Sequence, residues 1–80
     1  MKRIYLFSGG GFVVASTATE FVTKMHRSSL FDHYEDDARF MDAVARRCAL
    51  QTGAFIDTTD ATTFLMSLMA HDFVVAINPN

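Results

Sequence analysis

The 80-residue chain has no tryptophan, one cysteine and no block of like charges. A single thiol, Cys48, cannot close an internal disulfide, so the chain is not a disulfide-stapled scaffold. The net charge of −2 lacks the basic field that a general binder of nucleic-acid backbones carries. No apolar run is long enough for a membrane-spanning helix. Met1, Lys2 and Arg3 precede an apolar run, but Gly9, Gly10 and Gly11 cut it shorter than a signal peptide needs. A cytoplasmic location is expected. No Ser-His-Asp or Cys-His-Asn arrangement stands in a recognisable context, so no enzyme is expected.

Half of the residues are hydrophobic, which suits a globular chain and excludes a disordered one. The length predicts one domain over residues 1–80, with a modest core and a narrow stability margin. Eight phenylalanines and five methionines supply more large apolar side chains than so small a core readily hides.

Residues 3–7 and 12–15 read as two short strands on either side of the glycines. Thr17 followed by Glu20 is a capping box, and Ala18, Phe21, Val22 and Met25 continue it as a helical stripe over 17–28. Asp32 and Glu35 form a second possible capping box. A helix over about 35–51 follows, with Met41, Val44, Ala45 and Cys48 as its stripe and Gly53 as its left-handed stop. Asp42 and Arg46 are spaced for an ion pair on its outer face. Residues 54–57 read as a strand. Thr58 or Thr59 is expected to cap a third helix, with Ala61, Phe64, Leu65, Leu68 and Met69 as its stripe. Residues 73–77 read as the last strand. The order β-β-α-α-β-α-β predicts an α+β fold: a small mixed sheet of three to four short strands, with three helices mainly on one face. A parallel pairing through the third helix is expected if the strands it joins are neighbours.

Ser8, Gly9, Gly10 and Gly11 pose the sharpest functional question. Glycine-rich loops between a strand and a helix can hold phosphate on their backbone amides. Here the helix signal comes late, at Thr17, no lysine follows the glycines, and no second strand lies where a dinucleotide fold needs one. A hairpin turn using positive φ at two of the glycines is the better reading. Small-ligand or nucleotide-phosphate binding through Ser8–Gly11 is the alternative.

His26, Asp32, His33, Glu35, Asp36 and Asp37 are rich in potential ligands but match no metal-binding spacing. An acidic, solvated helix start is the expectation, with no metal and no cofactor. Arg39, Arg46 and Arg47, with Lys24 and Arg27, offer only weak nucleic-acid binding as a further alternative. The apolar excess points instead to binding another protein, or to self-association as a homodimer. Phe12, Phe31, Tyr34, Phe40 and Met66 exceed the predicted stripes. Phe73, Val75 and Ile77 belong to a strand apolar at every position, so both of its faces want cover.

Overall fold

The structure, a computed structural model, describes residues 2–28 and 36–77. Phe31 and Tyr34 lie outside the described residues, as does the Asp32–Glu35 capping box. The described elements are β1 (Arg3–Phe7), β2 (Phe12–Ala15), α1 (Ala18–Ser28), α2 (Asp37–Thr52), α3 (Ala61–Ala70) and β3 (Val74–Ile77). The α+β class is as expected: three helices and a three-stranded sheet.

The sheet departs from the expected mixed one. Its order is β2-β1-β3 and both pairings are antiparallel. Residues 54–57 form no strand, so no strand-helix-strand unit encloses α3 and the parallel pairing has nothing to act on. Ile56 still enters the core, at 4% exposure, while the Asp57 amide donates to Ser67 Oγ instead of to a ladder. β3 is an edge strand and β1 is central.

The glycines close the β1–β2 hairpin. Gly10 N–H donates to the Phe7 carbonyl at 3.0 Å and Phe7 N–H to the Gly11 carbonyl at 3.1 Å. Gly10 and Gly11 take φ of 103° and 90°, values that L side chains resist.

The first helix starts as its capping box predicts. Glu20 N–H donates to Thr17 Oγ1, and the Glu20 carboxylate accepts from Ser16 N–H. That hydrogen bond, with Lys24 and Lys2 nearby, holds the Glu20 carboxyl below its ordinary range. Asp36 caps α2 by accepting from the Arg39 amide, and Gly53 ends it at φ 75° with its N–H on the Ala49 carbonyl. α3 is capped by Asp60, which accepts from the Thr63 amide, and not by Thr58 or Thr59. Asp57 occupies Thr59 instead, through its amide and hydroxyl.

α1 and α3 lie over one face of the sheet, and α2 packs against α1. Strand alternation sends Tyr5, Phe7, Val13, Ala15, Val74 and Ala76 towards that layer. Phe21 of α1 is fully buried among them, edge-on to Tyr5 at 5.0 Å and tilted against Phe7 at 5.9 Å. Val22, Met41, Cys48, Phe64, Leu65 and Leu68 complete the layer's interior. Burial raises the Cys48 thiol above its usual range, in keeping with a packed, unreactive side chain.

Candidate functional site: the open face of the sheet

Among the described residues, the helices cover one face of the sheet only. The other face consists of the alternate residues of each strand, and the register aligns them in two rows. Leu6 stands between Phe12 and Val75, and Ile4 stands between Val14 and Ile77. All six are apolar. Phe12 is 64% exposed, Val75 53%, Ile77 40% and Leu6 39%, with Ile4 and Val14 half-buried. A half-solvated antiparallel sheet ordinarily alternates apolar and polar side chains; this one is apolar on both sides. Ordinary side-chain areas make the exposed patch roughly 400 Å², within the range where a monomer's largest patch tends to be functional.

The edges of the sheet differ. Hydrogen-bonded pairs alternate along an antiparallel ladder. With Phe7 bonded to Gly11, the Val14 amide and carbonyl turn away from β1, to the outer edge of β2. Lys24 of α1 reaches that edge, and its Nζ donates to the Val14 carbonyl at 2.7 Å. A lysine on an edge discourages strand addition. On the other side Ser8 N–H donates to the Phe73 carbonyl at 2.9 Å, so Val74 and Ala76 turn their backbone groups outward.

Of the candidates named from sequence, Phe12, Val75 and Ile77 meet on the open face. Met66 is exposed, at 60%, but belongs to α3 on the helical side. Phe73 is half-buried against the core. Phe40 is a correction: it is 3% exposed, with its ring stacked on His26 at 4.6 Å, so it is not a spare surface aromatic. Leu6, Ile4 and Val14 were missing from the sequence candidates. Their signal was present in two strands apolar at both parities, but only the register shows that the surplus shares one face.

The glycine loop spends much of its donor capacity on itself and on its neighbour. The amides of Phe7, Ser8 and Gly10 are all engaged. β2, not a helix, follows the loop, so the strand–loop–helix order of a phosphate-binding loop is not formed here. A groove of about 390 Å³ does run beside Gly10 and Gly11, lined also by Phe7, Met25, Phe40 and Arg47.

His26 and Asp37, both in the acidic cluster, are brought together. His26 Nδ1 lies 2.9 Å from Asp37 Oδ1, and Thr23 Oγ1 donates to Asp37 Oδ2 at 2.7 Å. This ties α1 to the first turn of α2. Burial works to raise the Asp37 carboxyl, but the bonds from His26 and Thr23, with Arg27 nearby, hold it below the ordinary range. Among the described residues no group of three side chains is placed to hold a metal. Asp42 accepts from Thr58 Oγ1, a partner other than the Arg46 expected from spacing. No described helix is long and apolar enough to cross a membrane. Comparison of the chain with protein-family models, curated proteins and solved structures finds no match.

Proposed function

We propose that this chain is a non-enzymatic binding module that docks another protein surface onto the open face of its sheet. The observation that carries this reading is the pair of rows, Phe12–Leu6–Val75 and Val14–Ile4–Ile77, with no charged side chain in either. Exposed apolar area of this kind is unfavourable in water, and association relieves it. The Lys24 contact supports the face over the β2 edge as the docking surface. The engaged Ser8 and Gly10 amides favour the glycine loop's role as a hairpin turn over phosphate binding.

The test is site-specific photocrosslinking in the native host cell. A photoreactive phenylalanine analogue replaces Phe12 on the open face or, as a control, Met66 on the helical side. Protein adducts are expected at position 12, well above position 66, and are expected to fall away when Ile77→Lys is added. Equal yields at the two positions overturn the reading.

A further inference from the structure

The open face is suited to one particular occupant. Resting on the docking reading above, we infer that it binds a second copy of this chain, the two sheets packed face to face about a two-fold axis perpendicular to β1.

Three observations point that way. The first is area. The patch of roughly 400 Å² is about half of what each partner gives to a standard stable interface, and the rim of the sheet can supply the rest. A small domain with a limited core commonly gains its missing burial by oligomerising.

The second is shape. Sheets of the same twist pack aligned, with their inner side chains interdigitating. An axis perpendicular to β1 lays each strand on its own counterpart and exchanges the two rows. Phe12 then meets the partner's Val14, Leu6 the partner's Ile4, and Val75 the partner's Ile77. The most exposed side chain faces a small, half-buried one, and no bulky pair collides.

The third is charge. Lys2, just before β1, continues the parity of Ile4 and Leu6 and, with Glu20 nearby, brings a charge to this end of the sheet among the described residues. The proposed axis carries it away from the partner's Lys2, towards the partner's Ser8. An axis along β1 superposes the two ammonium groups and is disfavoured.

The experiment is light scattering on the purified full chain from about 1 µM to 1 mM, a span that covers the usual range of dimer affinities. The expected mass is twice 8.9 kDa at the upper concentrations. Leu6→Glu and, independently, Val75→Lys are expected to raise the dissociation constant at least about 100-fold, since each buries a charge at the centre of the contact. Both positions are solvent-exposed in the single chain, and circular dichroism checks that each variant stays folded. Ala76→Pro removes an outward amide of β3 and is expected to leave the dimer intact.

Loss of the dimer in Ala76→Pro with retention in the two face variants identifies edge-to-edge pairing and overturns the inference. A dimer that survives all three changes lies elsewhere and overturns it too. A wild-type monomer at 1 mM overturns the second copy as occupant. Crosslinks from position 12 to a different protein then leave the docking reading standing, whereas equal yields at positions 12 and 66 remove that as well.

Discussion

Tyr5 and Leu6 are neighbours in β1, both large, and 6% and 39% exposed. The difference is which way the pleat points them. Tyr5 meets the ring of Phe21, itself held by a helix whose start is fixed by Thr17 and Glu20. Leu6 is flanked by its row neighbours, Phe12 and Val75. Composition hardly separates the faces, since apart from Arg3 at one end of the inner face the strand residues on both sides are apolar. What separates them is the layer of helices, which has an inner face to offer and, among the described residues, no second layer opposite. The inner face therefore maintains the fold of the single chain. The outer face leaves its side chains partly in solvent.

That contrast breaks first at Phe21. Phe21→Ala empties the centre of the covered side and is expected to cost about 3–5 kcal/mol, a large share of what a domain this size possesses. Val75→Thr, a change between two good strand formers on the open side, is expected to stay within about 0.5 kcal/mol. Urea denaturation at low micromolar concentration checks both. A cost at Val75 approaching that at Phe21 means that the open face is part of the chain's own core.

The next effect is smaller and depends on pH. Asp37 joins the helical layer together through His26 and Thr23. Asp37→Asn is expected to cost about 1 kcal/mol near neutral pH, a charged hydrogen bond discounted for partial exposure. The folded carboxyl titrates below the unfolded one, so its contribution is fully present above the ordinary aspartate pKa of about 3.9. It fades as pH falls through the lower, folded value. Wild type and variant are therefore expected to converge in acid, as read by denaturant melts between pH 7 and pH 2. A gap that stays constant to pH 2 shows that the Asp37 charge is not what ties α1 to α2.

The legible parts of this molecule were those settled by local chemistry. The Thr17–Glu20 cap, the Gly53 stop, the glycine hairpin and the α3 stripe each depend on residues within one or two turns. The misread parts depend on distant neighbours. Phe40 looked spare because its companion His26 lies on another helix. Phe55 and Ile56 alternate as a strand does, at 77% and 4% exposure, yet no strand stands beside them. Asp60 outcompetes Thr58 and Thr59 as a cap because Asp57 has already engaged Thr59. The candidate site was half legible for the same reason. Apolar surplus marked Phe12, Val75 and Ile77, while placing Leu6 and Ile4 between them required the register of three strands.

The smallest effect sharpens the comparison most cleanly. Asp72 follows α3 with φ 63°, the left-handed value that Gly53 adopts after α2. Its N–H donates to the Met69 carbonyl and the Phe73 N–H to the Leu68 carbonyl, a helix stop that favours glycine at position 72. An aspartate there carries a steric cost and places negative charge against the negative end of the helix. Asp72→Gly is expected to relieve both, gaining about 0.5 kcal/mol after the added flexibility of glycine in the unfolded chain is counted. The change touches the turn into β3 and neither row of the open face. Fold stability is thus expected to rise in a thermal melt of the dilute chain while the dimer dissociation constant stays where it was. A dissociation constant that moves with the melt shows that folding and association draw on the same contacts, and that the two faces of the sheet are not independent.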